Sequence, residues 1–334
     1  MTTTVTDGAI EAARRVREMY ERFPYPSQDP GETRLKELAT LLRLFTWETP
    51  YDLRGKRVLD VGTGTGHRLI AAAREFPETR FVATDQCAAP LAIARRAAEE
   101  AGVRNIDFRA HDLLADPPVG EGFDLVLCMG VLHHLADPAH GVRRLARHLA
   151  DDGVLFCYVY GERGSRERMR RKDIIALLSN GSMESGITAA RALDFEPLDY
   201  GWRLNADDAS SRDALLVDSY LNVQERLFDL RGILDFLRPS GPWSLMPYGI
   251  TCGTKGLLFE TGLGRHSAIP TTDLTKTLQT ADLVAGYEGL DLWDKMRLVE
   301  LFFEPSAYTL LVHRDGAERW FKKEGRVCRN TLRV

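Results

Sequence analysis

Apolar positions along the first fifty residues recur every three to four, at Ile10, Ala13, Val16 and Tyr20 and again at Leu35, Leu38, Leu42 and Phe45. That spacing sets each group on one face of a helix. It predicts an amphipathic helix over 9–23, stopped by Pro24-Tyr25-Pro26 because proline has no amide donor and crowds the preceding turn, and a second helix around 35–45. From 55 to 160 the pattern changes. Short apolar runs (Arg57–Val61, Phe81–Thr84, Ile106–Ala110, Phe123–Met129, Gly153–Tyr160) alternate with helical stretches (His67–Phe76, Ala88–Glu100, Pro138–Leu149). Strands alternating with helices predict an α/β fold with a doubly wound, mostly parallel sheet covered on both faces. After Tyr160 the regular pattern stops, and 161–250 is helical and loop material with an apolar helix at Leu230–Leu237. The stretch 242–275 is rich in Gly, Pro and Thr and predicts irregular connections. A last helix carries Leu292, Trp293, Met296 and Val299, Thr309–His313 predicts a late strand of the sheet, and Arg319–Val327 a hairpin turning at Glu324-Gly325. The expected organisation is a helical cap (1–50), a nucleotide-binding core (51–160), a helical region covering the substrate (161–250) and a C-terminal extension (251–334).

The first strand breaks into Gly62-Thr63-Gly64-Thr65-Gly66 before a helix. Glycines at such a turn take strained backbone angles and let a ligand approach closely. A dinucleotide loop spaces them G-x-G-x-x-G, with the third glycine facing a pyrophosphate. In that spacing the third glycine would fall on His67 or Leu69, so the loop suits an adenosine ligand without a pyrophosphate. Asp85, nineteen residues beyond Gly66 and at the end of the second run, is placed to accept hydrogen bonds from both ribose hydroxyls. His111-Asp112-Leu113, at the end of the third run, is placed for the adenine edge. Ligands of such sheets sit at the strands' carboxyl ends, which sets Gly62, Asp85, Asp112 and Met129 on one rim.

These motifs, followed in order by Phe123–Leu135 and Gly153–Phe156, resemble those of the class I S-adenosylmethionine-dependent methyltransferases. The resemblance implies a Rossmann-like sheet, S-adenosylmethionine as cofactor, and cofactor contacts from Asp60, Gly62, Thr63, Gly64, Gly66, Asp85, Gln86, Asp112, Leu113 and Met129. Asp60 is divided between bracing the loop and touching the methionine part. Tyr20-Glu21-Arg22-Phe23-Pro24-Tyr25-Pro26 is similar to a Tyr-x-x-x-Pro-Tyr-Pro segment of a bacterial subset of these enzymes, which adds Tyr20 and Tyr25 beside the methyl donor or acceptor. Asp116-Pro117-Pro118 precedes the fourth strand, where the Asp-Pro-Pro-aromatic motif of amine methylation would follow it, and reads as a turn.

The acceptor side is less defined. His133 and His134 follow the fourth strand, and either can serve as a base because histidine titrates near neutrality. The run Arg163, Arg166, Arg168, Arg170, Arg171, Lys172 reads as a solvated face, with a clamp for a substrate carboxylate or phosphate as the alternative. Asp207, Asp208, Asp213, Asp218, Glu225, Asp229 and Asp235 crowd the next stretch, and two or three of them turned inward with Tyr220 would suit an amine or guanidine. The candidate catalytic residues are therefore His134, Tyr220, Asp218 and Glu225. The expected activity is methyl transfer to a small molecule, to nitrogen in specialised metabolism. A protein or RNA acceptor, or cofactor binding without transfer, stands as the alternative.

Composition narrows the partners. With a net charge of −4 the chain lacks the overall basic field of a DNA binder. Its five cysteines lie far apart without C-x-x-C spacing, so neither a disulfide framework nor a metal site is expected. No apolar run reaches the roughly 20 residues of a membrane span. The N-terminus lacks the regions of a signal peptide, and a cytoplasmic location follows as the expectation. A homodimer stays open.

Overall fold

The computed structural model describes residues 7–49, 51–195, 209–252, 256–259, 271–314, 322–323, 326–327 and 332–334. Strand β1 (Arg57–Val61) is buried from Val58 onward, as a central parallel strand must be. It pairs in parallel with β2 (Arg80–Asp85) on one side and β4 (Phe123–Met129) on the other. Outside these, β3 (Ile106–Ala110) joins β2 and β5 (Leu149–Tyr160) joins β4, both in parallel. Strand order therefore reverses between β1 and β4. The crevice at that reversal is where a doubly wound sheet binds its ligand.

Beyond β5 the sheet turns antiparallel. Strand β8 (Ala307–His313) lies between β5 and β6 (Ser244–Cys252), and β7 (Gly256–Phe259) extends β6. With the short β11 (Leu332–Arg333) also on β6, nine strands of the described residues form one sheet. The late strand expected at 309–313 is β8. The short β9 (Lys322–Lys323) and β10 (Arg326–Val327) pair as the expected hairpin, whose turn lies outside the described residues. The irregular connection expected over 242–275 is corrected in its first half. Leu245, Met246, Tyr248 and Ile250 are buried in a strand whose register shifts between Pro247 and Gly249. The proline and glycine that read as strand breakers mark this irregularity, which lets a strand carry them.

Alternation along the strands divides the core. Val58, Leu125 and Leu127 face α2 (Glu37–Glu48), α3 (His67–Glu75) and α4 (Ala88–Glu100), while Leu59, Val61 and Val126 face α5 (Pro138–Ala146), α9 (Leu230–Leu237) and α11 (Leu292–Phe303). Helix α1 (Asp7–Arg22) takes a third place. Its Met19 joins a small core with Ile175 of α6 (Arg166–Leu178), Ile187 of α7 (Met183–Ala192), Leu216 of α8 (Ala209–Leu216) and Tyr220. This group lies over the strand ends. Helix α10 (Ala281–Gly289) has no buried residue. No helix among the described residues is long and apolar enough to cross a membrane.

Candidate active site

A cavity of about 1880 Å³ opens at the carboxyl ends of β1, β2, β4 and β5, walled by α1, the segment after it, and residues 218–226. Its first half is built on the glycine turn. Gly62 and Gly64 hold positive φ of 73° and 57° and line the cavity. What stands against them is protein, which amends the reason for the glycines. A Cβ on Gly64 would lie 2.5 Å from the Tyr25 carbonyl, one on Gly66 2.7 Å from Ala94 Cβ, and one on Gly62 against Val131. Gly66 does not line the cavity and packs against Ala94 of α4. The chain after α1 crosses this turn: Thr65 N–H donates to the Tyr25 carbonyl (3.0 Å), and His67 Nε2 meets the Asp29 carbonyl (2.8 Å). Glu21 accepts from Ala88 and Ala89 N–H at the start of α4, at 2.6 and 2.9 Å. The cap is thereby fastened to both nucleotide loops.

Asp85 accepts Gly64 N–H on one oxygen and Cys87 N–H on the other, each at 2.9 Å. A carboxylate has about four lone-pair sites, so two remain for a vicinal diol. Burial raises its pKa. Gln86, Asp112, Leu113 and Met129 line the same half, though Asp112 spends an oxygen on the Leu114 and Ala115 amides of its own turn. Asp116 accepts the Asp112 N–H (2.8 Å), which places Asp116-Pro117-Pro118 as a bracing loop. Asp60 is buried beneath the turn and does not line the cavity; desolvation pushes its carboxyl up to about 6. Of its two expected roles, this position suits bracing.

The second half gathers groups from four elements. Tyr20 hydroxyl donates to Asp218 Oδ1 (2.7 Å), accepts from Asn222 Nδ2 (3.1 Å) and lies 3.2 Å from His134 Nε2. Tyr160 hydroxyl donates to Asp218 Oδ2 at 3.3 Å. His134 Nδ1 faces the Gln224 carbonyl at 2.9 Å, so that nitrogen carries the hydrogen and Nε2 the lone pair. Burial lowers the pKa of His134, which keeps it neutral. Asp218 reaches the cavity from a π-helical turn, Val217–Leu221, an insertion that re-aims side chains and recurs at functional sites.

The sequence candidates thus separate. Tyr20, Tyr25, Thr63, His134 and Asp218 line the cavity; Tyr220 and Glu225 do not. Tyr220 is buried in the small core with Arg171 on its hydroxyl (3.3 Å), and Glu225 is held by Arg168 (2.7 Å) and Lys172 (2.6 Å), which lower its pKa against the desolvation of its site. Neither is in place to act on an acceptor. His133 also stays out, stacked on Tyr160 with centroids 3.8 Å apart. Among the described members of the acidic stretch only Asp218 lines the cavity: Asp229 caps α9, Asp213 pairs with Arg191, Asp235 is exposed beside Arg238, and Asp207 and Asp208 lie outside the described residues. Sequence reasoning missed Asn222 as partner of Tyr20, Arg68 in the wall, and Tyr158 and Tyr160. Period-two alternation at the end of β5 was the signal for the last two, since it puts both on one face.

Residues 58–153 match a family model described as a methyltransferase domain. An uncharacterised protein of Synechococcus sp. is 30% identical over 70% of this chain and 59% of its own length. A ubiquinone biosynthesis O-methyltransferase of Marinobacter nauticus is 34% identical over 34% of this chain and 48% of its own. The chain thus spans about half to three-fifths of these relatives. PKMT2 from Rickettsia typhi, also solved in complex with AdoHcy, shares the fold with a TM-score of 0.59 at 14% identity, over 84% of this chain and 54% of that one. The half-used Asp85 carboxylate and the Gly62–Gly64 turn fit an adenosine carrying no pyrophosphate. Residues 58–153 are accordingly a methyltransferase domain, and S-adenosylmethionine is the cofactor that its glycine turn and Asp85 fit.

Proposed function

We propose that the chain transfers a methyl group from S-adenosylmethionine to a small molecule. The observation that carries this is the cavity as a whole, which extends past the donor half between α1, β5 and residues 218–226 and at about 1880 Å³ is larger than a donor alone requires. When bound, the cofactor supplies a methyl group already activated by its sulfonium. The chain's own part is to exclude water, align the acceptor and receive its proton. Glu21, Tyr25 and Asp29, which tie the cap to the glycine turn and α4, would hold it over the donor; Asp85 would orient the ribose and His134 would take the proton.

A protein or RNA acceptor would call for an open, uncompensated basic rim. The basic run does not offer one, because Arg163, Arg166, Arg170, Arg171 and Lys172 each lie against a carboxylate, of Glu300, Glu304, Glu167, Glu167 and Glu225 respectively. The amine pocket expected from the acidic stretch also loses its support, with one carboxylate inside and that one already bonded by two tyrosines.

Calorimetric titration with S-adenosylmethionine tests the reading. Wild type should bind at micromolar concentration and Asp85→Ala at least tenfold more weakly, about 1.4 kcal/mol. With methyl-labelled donor and a cell extract, label should enter the low-mass fraction. No binding by folded wild type, or label only in protein or RNA, overturns it.

A further inference from the structure

The charges of the acceptor half are paired within the protein. Arg68, on α3, meets Glu37 of α2 at 2.5 Å and donates to the Tyr25 hydroxyl at 3.2 Å. Arg168 of α6 lies over the Tyr160 ring and shares Glu225 with Lys172. Asp218 takes hydroxyl hydrogens from Tyr20 and Tyr160. The two guanidiniums that line this half, Arg68 and Arg168, are thus each held by a carboxylate, and its Asp218 by two hydroxyls. Glu167 is held by Arg170 and Arg171, and the remaining cations of the lining, Arg17 and Arg226, are exposed at the mouth, with Arg14 beside Glu11 and Glu18. Between the pairs the wall is aromatic and aliphatic: Tyr25, Leu38, Leu41, Tyr158 and Leu257.

An anionic acceptor would have to draw Arg68 from Glu37 or Arg168 from Glu225, and a cationic one would face both guanidiniums across a wall whose carboxylates, Glu37 and Asp218, are already engaged. Breaking the buried Arg168–Glu225 pair leaves an uncompensated charge, which is strongly unfavourable, while parting the half-buried Arg68–Glu37 pair costs less. A neutral acceptor disturbs neither. A flat, mostly apolar body suits the wall, and the polar point it must match is His134, whose Nε2 carries no hydrogen because Nδ1–H is committed to Gln224 and the Tyr20 hydrogen to Asp218. Resting on the methyltransferase reading above, we infer that the acceptor is an uncharged aromatic molecule methylated on a hydroxyl group. The hydroxyl oxygen forms the new bond to the methyl carbon while the carbon–sulfur bond of the donor breaks with its electron pair left on sulfur. The hydroxyl proton goes to His134 Nε2.

Three probes on one skeleton test this: 2-naphthol, 2-naphthoate and naphthalen-2-ylmethylammonium, titrated at pH 7.5 into protein saturated with S-adenosylhomocysteine. The naphthol should bind at least tenfold tighter than either ion. Glu37→Gln, which unmasks Arg68, should improve naphthoate binding about tenfold and leave the naphthol within twofold. If the protein binds S-adenosylhomocysteine and yet prefers either ion, or takes none of the three, the inference is overturned while the methyltransferase reading stands. Failure to bind S-adenosylhomocysteine overturns both.

Discussion

His133 and His134 are adjacent in one short helical turn, yet they face different surroundings. Both ring nitrogens of His133 are buried without a hydrogen-bond partner among the described residues, and burial holds its pKa well below the usual histidine range. Burial lowers those of His134, His67 and His148 as well. A histidine kept neutral in the folded state takes up its proton near pH 6.5 once unfolded. Below that pH the unfolded chain binds more protons, so stability falls as pH falls, by up to about 1.4 kcal/mol per pH unit for each group. Replacing His133 by Phe keeps a ring on Tyr160 and removes one such group. Chemical denaturation from pH 7.5 to pH 5 should show a shallower loss in His133→Phe, by about one proton's worth of slope; an unchanged slope contradicts the assignment. The pair itself was visible in the sequence. His134 was named from the sequence as the candidate, but the direction of each ring was not legible there, because within a single turn it is set by Tyr160 stacking on one ring and the Gln224 carbonyl engaging the other.

Among the elements, the strand ends were the most legible part. Short apolar runs joined by helices predict a parallel sheet, and the sheet alone dictates that Gly62, Asp85, Asp112 and Met129 share a rim. What resisted reading were contacts across long stretches of chain. Tyr20 meets Asn222, and Asp218 turns inward on a π-helical turn that no local pattern announces. The glycine turn had a second meaning for the same reason: its neighbours are Tyr25 and Ala94, distant in sequence. These two glycines should respond differently to alanine. At Gly64 a methyl group meets a backbone oxygen of the cap, and the left-handed backbone adds about 1–2 kcal/mol. The cap should lift from the turn, weakening S-adenosylhomocysteine tenfold or more by calorimetry, with the circular dichroism of the sheet retained. At Gly66 the methyl group meets Ala94 inside the core, and Gly66→Ala should lower the melting temperature of the unliganded protein further than Gly64→Ala does. The reverse order would mean that the cap contributes more to stability than to binding.

For the molecule as a whole, the sequence suggested an extension after residue 250 that returns a late strand, Thr309–His313, to the sheet. The strand order argues for integration. Strand β8 lies between β5 and β6, each of its seven residues is buried, and its register with β5 runs from Val154↔His313 to Tyr160↔Ala307. It also contributes Thr309 to the cavity, and its predecessor Pro305 accepts the Gly164 N–H at the edge of the acceptor half. Tyr308, Leu310, Leu311 and Val312 are each buried almost completely. At about 1.5–3 kcal/mol apiece they contribute about 6–12 kcal/mol, as much as the whole stability of an ordinary domain. A chain ending at Glu304 would lose that contribution and leave β5 and β6 with open hydrogen-bonding edges lined by apolar side chains, the feature that drives strand-to-strand aggregation. Such a truncation should be recovered only as insoluble protein. A chain ending at Arg314 keeps β8 and loses the short β9, β10 and β11; it should stay soluble and bind S-adenosylhomocysteine within about threefold of wild type, because none of the described residues removed lines the cavity. A soluble, cofactor-binding 1–304 chain would instead show that the core closes without β8, and that the antiparallel strands serve the acceptor side alone.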